Sequence, residues 1–227
     1  MYNAKKEWTN HFTDRRMEYP SEYLIRIFKG EHPRQSFRQL NFSGKKICDI
    51  SCGTGGNLAF FKKCGFEVYG TDITEGIVNQ AIKNLELEGI RADIGVGDNS
   101  NLPFEDEFFD FIVSWNACYY MGGEEKKFDS HVKEFARILK KDGYLILSVP
   151  MKSCFIYKNS VRLSPGYQII NEDPSGVRNG EVLRMFKDER EIEEAFSGHF
   201  TDFAFGSQID DCFGLDYHWH LIVCRKK

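Results

Sequence analysis

The 227 residues are 41% hydrophobic and 28% charged, with a formal net charge of -4; this composition excludes intrinsic disorder and suits one well-buried α/β domain. A net negative chain repels a phosphate backbone, so nucleic acid is disfavoured as a partner, although a local basic patch escapes that argument. No apolar run reaches a membrane span of roughly 18 residues, MYNAKKEWTNHF has no signal-peptide core, and the seven cysteines are scattered without a CxxC pair, so a cytoplasmic protein with reduced thiols and no membrane partner is expected.

Residues 1–42 are polar and aromatic and read as an amino-terminal helical cover. Within them Ser21 to Lys29 (SEYLIRIFK) sets Leu24, Ile25 and Phe28 at helical spacing behind a Ser cap with a following acid. Residues 43–227 form the main domain. Lys46 to Ile50 (KICDI) is its first strand, SCGTGG a tight turn, and Asn57 to Lys63 a helix. The alternation continues with a strand at Glu67 to Thr71, a helix at Glu75 to Glu88, and strands at Arg91 to Val96 and Phe109 to Ser114. Such an order predicts a parallel sheet with helices on both faces.

Lys126 to Lys140 carries Phe128, Val132, Phe135, Ile138 and Leu139 on one helical face; Asp142-Gly143 then turns the chain into an apolar strand, Tyr144 to Val149. From about 151 to 187 the periodicity fails, and Ser164-Pro165-Gly166 with Asp173-Pro174-Ser175-Gly176 mark loops, so an insertion is expected there. Order returns with a helix at Glu189 to Phe196, a strand at Phe200 to Phe205 and a last strand at Tyr217 to Cys224.

The chemistry concentrates at the turns. In ICDISCGTGGN (Ile47 to Asn57) a strand runs into closely spaced glycines, which lets a ligand approach the backbone where a helix begins. A dinucleotide fingerprint requires a third glycine where Leu58 stands, so a nicotinamide-dependent oxidoreductase fits poorly. Asp72 follows the second strand, where a carboxylate can accept from two ribose hydroxyls or can cap the next helix. GDNSNLPF (Gly97 to Phe104) is good loop chemistry with or without a ligand.

Asp49-Ile50-Ser51-Cys52-Gly53-Thr54-Gly55 resembles motif I of the class I S-adenosylmethionine-dependent methyltransferases. Asp72, the GDxxxLPF-like segment and Phe109-Asp110 follow in that family's order, over about Lys45 to Pro150. The resemblance implies a Rossmann-like three-layer sandwich, with a mostly parallel seven-stranded sheet and an antiparallel last strand. It also implies S-adenosyl-L-methionine as cofactor and S-adenosyl-L-homocysteine as product. On that basis Gly53, Thr54 and Gly55 cradle the methionine part and Asp49 orients the turn. Asp72 and Ile73 lie at the ribose, Asp98 and the Asn99 backbone at the adenine, and Trp115 near the sulfonium.

The (D/N)PP(Y/F) sequence of adenine and glutamine amino-methylases is absent at Ser114-Trp115-Asn116-Ala117, which leaves a small-molecule acceptor methylated on oxygen or nitrogen. Glu18 to Glu22 (EYPSE) resembles the opening of bacterial methyltransferases from surface-polysaccharide and related clusters. An anionic acceptor would suit Arg15 and Arg16. Candidate bases are His218 and His220, which share a face of the last strand, Tyr119 and Tyr120 after the fourth, and His11 or Tyr19 in the cover. His131 is expected at the surface. No HExxH or HxxxH spacing suggests a metal. An intact cofactor site with no assigned base also fits a non-catalytic module that binds S-adenosylmethionine.

Overall fold

The computed structural model describes residues 3–123 and 127–227; Lys126, the first residue of the helical segment expected at Lys126 to Lys140, lies outside them. Seven strands form one sheet in the order β3-β2-β1-β4-β5-β10-β9. They are β1 (Lys46–Ile50), β2 (Glu67–Asp72), β3 (Asp93–Val96), β4 (Phe109–Ser114), β5 (Leu139–Pro150), β9 (Phe200–Cys212) and β10 (Leu215–Lys226). β1 to β5 pair in parallel, whereas β10 runs antiparallel to both of its neighbours. Six strands therefore share one direction and the last opposes them.

Adjacent strand residues point to opposite faces of a sheet, and each face here meets its own helical layer. Ile47, Phe111, Val113 and Ile146 pack with α2 (Glu22–Lys29), α3 (Gly56–Cys64) and α4 (Glu75–Leu87). Cys48, Ile50, Ile112, Leu145 and Leu147 pack with α5 (Phe128–Ile138) and α6 (Glu189–Phe196) on the other side. The result is a three-layer sandwich. Phe28 of α2 is 1% exposed and meets Phe37, Phe61 and Phe66 ring to ring, so part of the amino-terminal segment belongs to the core.

The main departures from the expected elements lie at α1, at β5, between β5 and α6, and at β9. α1 (Ala4–Phe12) is a helix that the periodicity did not mark. Its attachment is tertiary: the Thr9 and Thr74 hydroxyls share a 2.8 Å hydrogen bond, and Trp8 stacks on Phe12 within the helix and meets Tyr120 edge-on. β5 begins at Leu139, directly after α5, so Asp142-Gly143 sits inside strand-paired backbone; the register shifts between Phe109/Leu139 and Phe111/Tyr144, and Asp142 takes φ 62°. The segment between β5 and α6 contains a three-stranded antiparallel sheet of β6 (Val161–Ser164), β7 (Tyr167–Ile169) and β8 (Val182–Arg184). β9 extends to Cys212 and forms a long hairpin with β10, although its outer half is polar and exposed.

The loop after β3 contains no helix and is anchored by Arg137 of α5. Its guanidinium donates to the Leu102 and Phe104 carbonyls, to Glu134 and to Asp106. These contacts give Arg137 a structural role. Among the described residues, no helix is long and apolar enough to cross a membrane, and no group of three or more His, Cys, Asp or Glu is placed to hold a metal ion.

The closest backbone approach lies at Gly56, where an added Cβ would stand 2.1 Å from the Glu18 carbonyl oxygen. Gly56→Ala should therefore push the Met17 to Ser21 chain off α3. The expected cost is about 1–3 kcal/mol, as for overpacking, and limited proteolysis should cut residues 3–20 faster than in the parent. Equal cleavage rates and equal urea midpoints would show that the approach is not needed.

Candidate functional site

The turn after β1 is shaped by its backbone. Ser51, Gly53 and Gly55 have φ of 61°, 54° and 89°, values that strain a branched residue and that glycine adopts freely. The Cys52 N–H donates to the Thr71 carbonyl (2.9 Å) and the Gly53 N–H to Asp72 Oδ2 (2.9 Å), which pins the turn to the end of β2. Asp72 Oδ1 accepts from Ile73 N–H at 2.8 Å. Thr74, not Asp72, caps α4, accepting from Ile77 N–H; the carboxylate thus serves the turn.

Asp72 and Asp49 are 4% and 1% exposed. Burial raises the pKa of Asp72 to about 6 against the hydrogen bonds from Gly53 and Ile73. Burial likewise raises Asp49 to about 7, opposed by Asn57 and helped by the charge of Asp72. Asp49 Oδ2 is buried and without a hydrogen-bond partner among the described residues. Two carboxylates stacked behind a glycine turn make a low-dielectric site that favours cations and hydroxyl donors.

A cavity of about 470 Å³ opens over this turn. Of the residues expected to hold the cofactor, Gly53, Thr54, Asp72, Ile73, Asp98, Asn99 and Trp115 line it. Asp49 and Gly55 do not. Asp49 stands behind the turn, and a Cβ on Gly55 would meet Leu85 Cγ at 3.2 Å and the Ala81 carbonyl at 3.6 Å. Gly55 is thus required by its φ and by packing on α4, whereas a Cβ on Gly53 would meet the Phe12 ring of α1 at 3.1 Å. The Asn99 side chain donates to the Ala117 carbonyl (3.1 Å), tying the loop after β3 to the chain after β4. Asp98 accepts from the Ser100 N–H and hydroxyl.

The candidate bases separate clearly. Tyr119 is 1% exposed, belongs to the hydrophobic core and lies outside the cavity; burial drives its pKa well up. His218 pairs with Ser153 at 2.9 Å, and His220 sits beside Glu189 in a shallow depression formed with Lys152 and Arg190. Neither histidine reaches the cavity. Tyr19 reaches its rim but is 98% exposed, so water competes there for its hydroxyl. Tyr120 and His11 do line it.

His131, expected at the surface, is 1% exposed and lines the cavity, with Nδ1 2.9 Å from the Cys118 carbonyl. Its spacing three residues after Phe128 and four before Phe135 was the missed signal. Burial, with Arg15 and Arg178 nearby, lowers the pKa of His11, so the ring is neutral near pH 7. Cys52 also lines the cavity, but burial holds its thiol far from ionisation.

Two further segments close the cavity. From the amino terminus come Ala4, Trp8, His11, Phe12 and Glu18. The Glu18 N–H donates to Thr54 Oγ1 (2.9 Å) and the Ser21 N–H to Asn57 Oδ1 (3.1 Å). From the 151–187 segment come Arg178 and Glu181. Arg15 and Arg16 do not line the cavity; Arg15 lies against Glu18 and His11, and its carbonyl accepts from Gln80 and Asn84.

A family model described as a methyltransferase domain matches residues 48–147. Phthiotriol/phenolphthiotriol dimycocerosates methyltransferase of Mycobacterium leprae is 31% identical over 111 residues, 47% of this chain and 38% of that protein. An uncharacterised protein of Haemophilus influenzae is 30% identical over 105 residues, 45% of this chain and 41% of that one. The chain thus spans about two fifths of the length of these relatives. Among solved structures, a SAM-dependent methyltransferase of Methanosarcina mazei superimposes with a TM-score of 0.66 at 21% identity, over 81% of this chain and 93% of that one. The 1,6-didemethyltoxoflavin-N1-methyltransferase of Burkholderia thailandensis, with 1,6-didemethyltoxoflavin and S-adenosylhomocysteine bound, gives 0.60 at 18% identity, over 82% and 72%. The glycine turn, the carboxylate after β2, the sheet order and the matched segment agree: residues 48–147 are similar to a methyltransferase domain, on a Rossmann-like fold shared with solved S-adenosylmethionine-dependent methyltransferases.

Proposed function

We propose that the chain methylates a small molecule on oxygen or nitrogen, with S-adenosylmethionine as donor. The observation that carries this reading is one cavity walled by the motif residues on one side and by α1 and the 151–187 segment on the other. Its volume of about 470 Å³ falls in the range, roughly 300–1,000 Å³, of pockets that enclose compact ligands. The lipid acceptor in the name of the mycobacterial relatives is bulkier than this enclosure favours; a compact heterocycle such as that bound by the Burkholderia enzyme suits it better.

The residues present fit the cofactor. Asp72 keeps lone pairs for ribose hydroxyls beyond the two backbone bonds it accepts, Gly53 and Ser51 offer a close backbone, and Asp98 with the Asn99 backbone would take the adenine. The bound cofactor supplies an electrophilic methyl group. The protein's share is to align an acceptor, exclude water and remove a proton where one must leave. His11 and His131 are the imidazoles on the cavity wall, and His11, held neutral, is suited to take a proton. α1 with the chain that follows it to Ser21, and the part of the 151–187 segment around Arg178 and Glu181, act as the cover that completes the acceptor side.

Asp72→Asn should weaken S-adenosylhomocysteine binding about 10- to 100-fold by calorimetry, the equivalent of one charge-assisted hydrogen bond of ~1.5–3 kcal/mol. Unchanged affinity in a folded variant would remove Asp72 from the ribose site.

The buried carboxylates also set a pH dependence. With folded pKa values of about 7 for Asp49 and about 6 for Asp72, above the usual ~3.9 for unfolded aspartate, the native state holds more protons than the unfolded state between these limits. Stability of the free protein therefore falls as pH rises from 4 to 7. Asp49→Asn should flatten that fall, so that its stability gain over the parent in urea grows from pH 5 to pH 8; a gain independent of pH would contradict the burial of an unpaired charge. Ligand affinity should move oppositely, weakening below pH 6 as Asp72 becomes protonated.

Hydrogen exchange tests the cover. S-adenosylhomocysteine should bring new protection to residues 8–20; protection already complete in the free protein would make the segment a fixed layer.

A further inference from the structure

Among the described residues that line the cavity, Arg178 is the one arginine or lysine, and it lies outside the segment matched by the family model. Its guanidinium is held on two edges. Nε donates to the Tyr120 hydroxyl at 2.7 Å, and Nη1 donates to Asp173 Oδ1 at 2.9 Å. Its Cζ lies 5.7 Å from the Trp8 ring centroid, so the charge rests against α1. Asp173 is in turn fixed: its side chain is 0% exposed, it accepts from Ser175 Oγ and from Arg178 N–H, and its own N–H donates to Asn179 Oδ1. A loop that buries a carboxylate to immobilise one arginine has a rigid product.

What remains unengaged among the described residues is Nη2, which lies between the two bound edges of a planar fork. The Tyr120 oxygen accepts from Nε, and its own hydrogen still has a direction to donate in. Both groups face the cavity. Two donors side by side, one of them charged, are the chemistry that receives an anionic oxygen. Asp173 already neutralises one unit of charge, and Glu181 adds a second carboxylate to the same cavity wall, so the site suits a monoanion better than a dianion.

We infer that Arg178, with the Tyr120 hydroxyl beside it, recognises a carboxylate on the methyl acceptor. The inference rests on the methyl-transfer reading and names its substrate class: a small carboxylic acid whose carboxylate is anchored at Arg178 while another atom of the same molecule receives the methyl group. Arg178 replaces Arg15 and Arg16 in that role, since those two lie outside the cavity.

The test uses the full chain saturated with S-adenosylhomocysteine and three probes of similar shape: benzoate, phenyl phosphate and benzyl alcohol. Binding is followed by calorimetry and by tryptophan fluorescence, to which Trp8 against the guanidinium should respond. Benzoate is expected to bind at least about tenfold more tightly than benzyl alcohol, the equivalent of one hydrogen bond to a charged group, and more tightly than phenyl phosphate. Arg178→Gln should erase that preference while leaving S-adenosylhomocysteine affinity unchanged, Arg178→Lys should retain part of it, and Tyr120→Phe should reduce it.

Equal binding of benzoate and benzyl alcohol, or a preference that survives in Arg178→Gln, overturns the inference. Tighter binding of phenyl phosphate overturns the choice of carboxylate. If Arg178→Gln loses its fold, Arg178→Lys and Tyr120→Phe decide by the same criterion. Should the parent fail to bind S-adenosylhomocysteine, the methyl-transfer reading falls, and the probe series on the free protein still decides whether Arg178 takes carboxylates.

Discussion

The hydrogen bond from Gly53 N–H to the buried Asp72 carboxylate is the constraint on which the site depends. It joins the turn after β1 to the end of β2, and the neighbouring bond from Cys52 N–H to the Thr71 carbonyl repeats the connection one residue earlier. Without them the turn would have to hold three consecutive alternate residues at positive φ by local preference alone, and Ser51 is not glycine. The carboxylate that stabilises the turn is also the one left with acceptor capacity toward the cavity. Structure and ligand binding therefore draw on the same side chain. Its burial raises its pKa, so the free protein carries an electrostatic strain that a hydroxyl-rich or cationic ligand relieves.

The cover attaches to that turn through short-range geometry. Thr54 takes the Glu18 N–H on its hydroxyl, while its carbonyl and that of Arg15 are both held by Asn84 of α4. Gly56 lets the Glu18 carbonyl pass against α3. α1 itself has no buried residue, so little hydrophobic energy fixes it and its position depends on Thr9, Trp8 and the chain that follows. An element attached in this way opens at low cost, as a covering segment over a ligand must.

How much was legible in the sequence follows from where each element obtains its stability. The glycine turn and Asp72 were readable because a positive φ and a buried acid restrict residue type locally, and the inner strands because each face must be apolar. α1 was not, since AKKEWTNHF shows no core-facing stripe and is held by tertiary contacts. β6, β7 and β8 are three or four residues long, too short for alternation to declare itself. The outer half of β9, GSQIDDC, is a strand because β10 pairs with it rather than because of its own pattern. Gly55 shows a different limit: the spacing identified a necessary glycine, and only the packing against Leu85 and Ala81 revealed what it is necessary for.

The residues that differ most in their consequences for chemistry lie outside the best-matched segment. Trp8, His11 and Phe12 come from α1, and Arg178 and Glu181 from between β5 and α6. Trp8 meets Tyr120 edge-on at 5.5 Å and Arg178 at 5.7 Å, so the two ends of the cover touch each other across the cavity as well as the fold beneath. An acceptor seated at Arg178 would contact both ends at once. Ordering one would then favour ordering the other, because the contact between Trp8 and Arg178 is shared. On the proposed reading, a fold that supplies the donor site from its sheet and the acceptor site from two segments outside the matched domain can change its substrate by altering those segments alone, with the Asp72 and Gly53 connection left intact.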